Sequence, residues 1–461
     1  MKVCIVIPDG VGIRNYLYSD LLKKLIENNS EIFIWHTLSN SAIEEIKKVH
    51  SDDQIIFERM PVFRETKSQV FIRELISYSR LLYNSKLQKN ETILNNWKPR
   101  KQGIKKYLFG LIELYGKKIS KNYQDIVKLE SYYEKLVLRE IPEIYSEYLK
   151  KNEIDVVFCT HQRAIQAIPI MTEAKRMGIR TVGAIFSWDN MPKARLSVRT
   201  DEYVVWSSLM KEEMKTYYPE ISLDKVTITG TPQFEFYNKE ELYSSKEAFF
   251  TKHNLDVNRK VICYSGDDKK TSPFDPIYLE HLAKEIENFP KESQPQILFR
   301  RCPVDLSDRF DKVLEDYKHI IKVGNPEWAL EGTKIGWDLV YPKYSDIIEL
   351  MNVVKHCDTV MNVGSTMAHD FSIHNKPAIY INYDVEKESG WSVDTIYKFQ
   401  HFRSMPDKNA VHWLNDKSEI KTVVEKALHS KEKLSNKKWF DCIVNEKNNA
   451  CDNLVNVILK K

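Results

Sequence analysis

A glycine, two small hydroxyl residues and, four positions beyond the second, a carboxylate stand together at Gly364, Ser365, Thr366 and Asp370. Gly364 follows an apolar run from Thr359 to Val363, and a helical stretch then ends at Asn375-Lys376-Pro377 before a second apolar run. That order reads as strand, tight turn, helix, strand. The glycine lets backbone approach a ligand closely, and Ser365 or Thr366 can cap the helix so that its free amides meet a phosphate. Asp370 shares a helix face with Thr366, one turn in, where it can accept from ribose hydroxyls. An ordinary strand-helix-strand unit would need the two hydroxyl residues only as caps.

Polar clusters recur after other apolar runs. Asp9 and Arg14 follow the first, in "PDGVGIRN", where Gly10 and Gly12 free the backbone. His161, Gln162 and Arg163 follow the run ending at Cys159, and Trp188, Asp189, Asn190 and Lys193 follow the one ending at Phe186. In a parallel sheet all three clusters fall at the carboxyl edge, where such folds bind ligands. In the second half, Ser265-Gly266 opens the polar turn "SGDDKKTS", and Arg300-Arg301 ends another apolar run. An arginine fork meets two phosphate oxygens at once. The first loop has GxG without the third glycine of a dinucleotide fingerprint, which argues against NAD.

These clusters need elements to carry them. Residues 2–7, 31–35 and 54–60 read as strands, with helices over 13–28 and 41–49 between them. Alternation lapses over 66–150, which reads as mostly helical, and resumes with strands at 155–159, 180–186, 203–206 and 226–229. The second half opens at 261–264 and continues through 296–299 to the run before Gly364. Two large domains or three small ones are expected from 461 residues. We place them at 1–235 and 258–430, joined through about 230–260, with a helical tail over 431–461.

Composition excludes several classes. Apolar and charged fractions of 42% and 29% are those of a folded globular chain. No apolar run is long enough to cross a bilayer, and "MKVCIVIPDG" reads as a first strand and not a signal peptide, so a cytoplasmic location is expected. The seven scattered cysteines lack any CxxC pair, which disfavours zinc and disulfides. A net charge of +4 does not argue for nucleic acid. Locally, however, residues 84–130 carry eleven Lys or Arg against four acidic residues, interleaved with Trp97, Tyr107, Leu108, Phe109, Leu111, Ile112 and Tyr115. Such a mixture suits an anionic membrane surface or acceptor, or else a solvated insertion with its apolar residues turned inward.

The segment "GSTMAHDFSIHNKPAIYIN" resembles the nucleotide-binding segment of GT-B-fold glycosyltransferases that build bacterial surface polysaccharides, capsule or lipopolysaccharide. The run "SWDN…KARLSVRTDEYVVWSSLMKEEM…VTITGTPQFE" is similar to the close of their N-terminal domain, and Arg300-Arg301-Cys302-Pro303 to their Arg-x-x-Pro strand end. The resemblance covers about 155–405. It implies an α/β GT-B fold, two Rossmann-like domains facing across a cleft, here with a helical insertion in the first. It also implies transfer of a sugar from a UDP-, GDP- or CMP-linked donor to a hydroxyl of a glycan or lipid-linked acceptor.

Ser265, Gly266, Arg300, Gly364, Ser365, Thr366 and Asp370 would hold the donor, and Arg14, Arg163, Trp188, Asn190 and Lys193 the acceptor. The base would be Asp9, Asp189 or His161, with Asp9 first by analogy to inverting members. No metal is expected, because "SGDDKK" lacks DxD spacing, and no cofactor beyond the donor. A CDP-polyol phosphotransferase, a nucleotide-sugar epimerase of similar fold, or a non-catalytic binding subunit are the alternatives.

Overall fold

The computed structural model describes residues 1–50, 54–99, 102, 103, 105–193, 195–197, 199–330, 340–386, 390–429 and 434–460. Apolar residues from Val3 to Ile7 are wholly buried in β1 (Lys2–Ile7), as expected for a strand covered on both faces. A wide helical turn (Ile13–Leu17) and α1 (Leu21–Glu27) replace the single helix expected over 13–28. Then follow β2 (Glu31–His36), α2 (Asn40–Lys47) and β3 (Ile55–Arg59).

The insertion is α3 (Lys67–Gln88), α4 (Lys105–Ile119), α5 (Tyr123–Leu138) and α6 (Ile144–Lys151). Thr66 and Gln69 form a reciprocal capping box that starts α3. Arg80, 2% exposed, joins Glu130 of α5 and donates to the Tyr217 carbonyl. Trp35 of β2 stacks on Tyr148 of α6 with ring centroids 4.1 Å apart. The insertion therefore shares the core of the first sheet.

Alternation resumes with β4 (Val156–Cys159), α7 (Ile168–Arg176), β5 (Arg180–Ala184), α8 (Asn190–Lys193), β6 (Glu202–Val205), α9 (Ser208–Tyr217) and β7 (Val226–Ile228). The seven strands are all parallel in the order β3-β2-β1-β4-β5-β6-β7. Sequence order reverses direction between β1 and β4, the topological switch point at which open α/β sheets leave a crevice.

The second sheet repeats the plan. Its strands are β8 (Val261–Ser265), β9 (Gln296–Arg300), β10 (Ile321–Val323), β13 (Thr359–Asn362), β14 (Ala378–Ile381) and β15 (His412–Leu414), parallel in the order β10-β9-β8-β13-β14-β15. A separate antiparallel ribbon pairs β11 (Trp328–Leu330) with β12 (Val340–Pro342). The switch point here lies between β8 and β13.

The chain thus forms two Rossmann-like units of the GT-B type. Unit 1 is Met1–Gln233, Phe399–His401 and Ile443–Lys461; unit 2 is Phe234–Lys398 and Phe402–Cys442. The expected tail is therefore divided. Its helix Ala450–Leu459 returns to unit 1, where Arg180 donates to the Val457 carbonyl at 3.0 Å and Lys24 meets Asp452 at 2.6 Å.

Candidate functional site

In unit 1, Asp9 follows β1 and His161 follows β4, so the two strands that flank the switch point each deliver one polar group. His161 Nδ1 and Asp9 Oδ2 are 2.6 Å apart, while Asp9 Oδ1 accepts from the Val11 amide at 3.1 Å. His161 Nε2 has no hydrogen-bond partner among the described residues. Gly12 makes this approach possible, since a Cβ there would lie 2.6 Å from Thr160 Oγ1. An imidazole oriented through one nitrogen by a carboxylate, with the other nitrogen open, is the arrangement of a general base.

A second group gathers after β5. Asp189 accepts from Ser187 Oγ at 2.7 Å and Asn190 Nδ2 at 3.0 Å, and pairs with Lys193. Burial alone would raise its carboxyl, but Lys193 and these donors hold it well below the usual carboxylate range. Trp188 is buried against the ring of His401, with centroids 4.9 Å apart. Burial pushes His401 down to about 4 against the pull of Asp189. Among the other expected acceptor residues, Asn190 lines a small cavity with His161 and Arg163. Arg14 Nε is buried without a partner.

One residue here escaped the sequence reading. Glu213, in the middle of α9, is pushed up to about 8 by burial, with the charge of Asp189 adding, and its Oε2 has no partner. Its segment "SLMKEEMKTY" looks like any amphipathic surface helix, and only the packing of α9 against α8 distinguishes Glu213 from Glu212.

In unit 2, Ser265 pairs laterally with Arg300, and Tyr264 with Met361, so Ser265, Arg300 and Asn362 form one row across β9, β8 and β13 at their carboxyl ends. Arg300 is turned away from solvent, 7% exposed. Its Nη2 donates to both oxygens of Asp346 at 2.8 and 2.9 Å, while its Nη1 has no partner. Asp346 also accepts from the Glu327 amide and Trp328 Nε1. The arginine fork expected at the phosphates is thus largely committed to a carboxylate inside its own unit. Beyond Gly266, the buried Asp267 carboxyl is raised well above its ordinary value by burial and by the charge of Asp275, which burial itself raises to about 6.

Gly364 has φ +72°, and a Cβ there would come 2.9 Å from the Phe402 ring, so the turn requires glycine. The Ser365 amide donates to Asn362 Oδ1 at 2.8 Å. Thr366 occupies the cap position of the short helix Met367–Ile373 without a capping bond from its side chain, and Ser365 Oγ receives the Met367 amide at a long 3.5 Å. Neither hydroxyl is therefore a strong cap, and Thr366 is exposed. Asp370, 8% exposed, accepts from Tyr237 Oη at 2.8 Å. Among the described residues, no group of three or more His, Cys, Asp or Glu is placed to hold a metal ion, and no helix is long and apolar enough to cross a membrane.

Solved structures share this architecture over the whole chain. A UDP-GlcNAc 2-epimerase from Methanocaldococcus jannaschii superimposes with a TM-score of 0.52 at 13% identity, covering 100% of both chains. One from Neisseria meningitidis, bound to UDP-GlcNAc, gives 0.50 at 11% identity, again over 100% of both. A glycosyltransferase from Rickettsia africae gives 0.51 at 13% identity, covering 100% of this chain and 99% of that one. The likeness is one of fold. No family model and no curated protein matches the sequence.

Proposed function

We propose that the chain is a nucleotide-sugar enzyme and, within that class, a glycosyltransferase of surface-glycan synthesis. The observation that carries the reading is the Asp9–His161 couple at the switch point of unit 1, a carboxylate-oriented imidazole with an open nitrogen. Support for the substrate class comes from neighbours of the same fold, which are UDP-GlcNAc 2-epimerases and a glycosyltransferase. A UDP-linked sugar is accordingly the first donor to test.

Breaking the anomeric bond develops positive charge on the sugar and negative charge on the leaving diphosphate. In this reading unit 2 holds the nucleotide, with the Gly364 and Thr366 amides at the phosphates, Asp370 at the ribose, and Ser265 and Gly266 beside them. Unit 1 supplies the base. His161 Nε2 takes the proton of the accepting hydroxyl, and Asp9 stabilises the imidazolium that forms. Asp189, already saturated with donors, is a poor base and serves to position Lys193 and Asn190. The nucleotide sugar enters this scheme as a substrate and not as a cofactor.

The acceptor class follows from α4. Tyr107, Leu111, Leu114 and Tyr115 are 76%, 48%, 64% and 52% exposed, forming an outward apolar row. Exposed Lys106, Lys117, Lys118 and Lys121 flank it. Ile112 and Phe109 do pack inward on α3, as a plain insertion would require. The outward row exceeds that requirement and fits an anionic membrane carrying a lipid-linked acceptor. Arg100 and Lys101 of the same basic stretch lie outside the described residues.

An epimerase is the second reading, favoured by the UDP-GlcNAc 2-epimerases among the neighbours. Incubation with UDP-GlcNAc and related donors, followed by NMR, separates the two. A transferase releases nucleoside diphosphate with membrane extract, and slowly without it. Appearance of a 2-epimer without acceptor would establish the epimerase, and neither product with any donor would leave a binding subunit.

A further inference from the structure

Unit 1 contains a second cavity, of about 410 Å³, whose lining excludes His161 but shares Arg195 and Leu196 with the small cavity beside it. Lys175 at the end of α7, Asp201 and Tyr203 at the start of β6, and Lys225 before β7 line it. These positions put it at the amino edge of the sheet, whereas Asp9 and His161 follow the carboxyl ends of their strands. Its roof comes from α5, with Glu130 and Tyr133.

The acids in its wall are already occupied. Glu130 is bound by Arg80 and Arg199, Glu134 by Lys175, and Glu220 by Arg199 and Tyr123. Asp201 accepts from both the amide and the hydroxyl of Thr181. Arg195 is left over. It is 9% exposed, lies over the Tyr133 ring at 5.2 Å, and makes no hydrogen bond or ion pair among the described residues. Two further donors in the lining, Thr172 Oγ1 and Arg199 Nη1, have no partner. Lys225, exposed at the rim, feels the charge of Asp224 but makes no ion pair among the described residues.

A buried guanidinium costs several kcal/mol unless an anion compensates it. Glu130 and Glu65 act on Arg195 through space without hydrogen-bonding it, and the cavity leaves room for an anion that would. We propose that this cavity binds a small phosphorylated sugar-sized molecule, whose phosphate meets Arg195, Arg199 and Lys225. The volume exceeds that of a bare phosphate and falls in the range of small-molecule pockets, roughly 300 to 1,000 Å³. Tyr133, Ile168, Leu196 and Tyr203 supply walls for a sugar ring, and Thr172 a hydroxyl donor. This site is separate from the nucleotide site proposed for unit 2 and does not depend on it.

Calorimetry of the full chain with glucose 1-phosphate tests the assignment. One saturable site per chain is expected at millimolar concentration or below, and excess UDP should not displace the ligand. Arg195→Gln should weaken binding about tenfold or more, and Lys225→Gln, at an exposed position without risk to folding, about threefold. Three results would each overturn the proposal: no saturable binding, displacement by UDP, or undiminished affinity in Lys225→Gln together with a folded Arg195→Gln. Inorganic phosphate binding equally well would overturn the sugar-sized ligand.

Discussion

The Asp9 carboxylate reaches from the end of one central strand to the imidazole of His161 at the end of its neighbour, fixing Nδ1 at 2.6 Å and leaving Nε2 open. Sequence separation of 152 residues is bridged because β1 and β4 are hydrogen-bonded in register from Val3 with Val156 to Val6 with Cys159. In the proposed reaction this geometry sets the order of roles: His161 would meet substrate, and Asp9 would orient it.

Removing the base should cost turnover without costing donor affinity. His161→Ala is expected to lower single-turnover transfer by about 10²- to 10⁴-fold, and Asp9→Asn by less, since it loses orientation and not the proton acceptor. Donor affinity measured by calorimetry should stay within about twofold in both. Greater loss in Asp9→Asn than in His161→Ala would return the base to Asp9.

Asp370 is tested by separating ligand binding from packing. Asp370→Ala should weaken nucleoside diphosphate binding by about 1.5 to 3 kcal/mol if the carboxylate accepts ribose hydroxyls. Tyr237→Phe removes the Tyr237 hydroxyl donor at 2.8 Å and keeps the carboxylate, and should leave nucleotide affinity near native. An Asp370→Ala protein that melts earlier but binds nucleotide normally would assign the carboxylate to packing within unit 2.

Arg300 is expected to behave as a structural ion. Arg300→Met leaves Asp346 buried with two donors from the chain instead of three groups, and breaking such a pair costs about 3 to 5 kcal/mol. Denaturant unfolding should show that loss. The double replacement Arg300→Met with Asp346→Leu should recover part of it, and a stable single variant would show that the pair contributes little.

Glu213 makes stability fall as pH rises. Its folded carboxyl titrates near 8 against the ordinary 4.5, so between these values the unfolded chain has released a proton that the folded chain retains. Stability therefore declines with a slope of up to about 1.4 kcal/mol per pH unit over that window. Glu213→Gln should remove this component. Its melting temperature should exceed that of the native chain at pH 8 and converge with it at pH 5; parallel curves would show that Glu213 is ionised in the fold.

The row on α4 should act together with its lysines. Replacing Lys106, Lys117 and Lys118 by Gln is expected to lower partitioning onto phosphatidylserine vesicles about fivefold per charge, more at low salt than at high. Leu111→Ser with Leu114→Ser should lower it at every salt concentration. Partitioning unchanged in both proteins would make α4 a solvated helix.

Much of the frame is legible from apolar runs. Strand starts at Lys2, Glu31, Val156, Val261 and Gln296 agree with those runs because each is covered on both faces, and the polar residues after them were correctly placed at carboxyl ends. Pairings between distant residues are not legible in that way. Nothing local to Arg300 announces Asp346, 46 positions on, and the same residue types would suit a phosphate equally well. Glu213 is hidden for the converse reason, since its burial comes from a neighbour helix and not from its own periodicity. Arg195 stands in a stretch without regular structure, where no pattern marks burial.

The return of Ala450–Leu459 to unit 1 bears on how the protein is made. Residues 443–461 are synthesised after the whole of unit 2, yet they complete a unit whose first strand is synthesised more than four hundred residues earlier. The Val457 carbonyl received by Arg180, and the Asn445 amide donated to the Trp206 carbonyl, form only then. Unit 1 must wait, partly open, while unit 2 is synthesised and folds, and such a nascent state exposes apolar surface to chaperones and to aggregation.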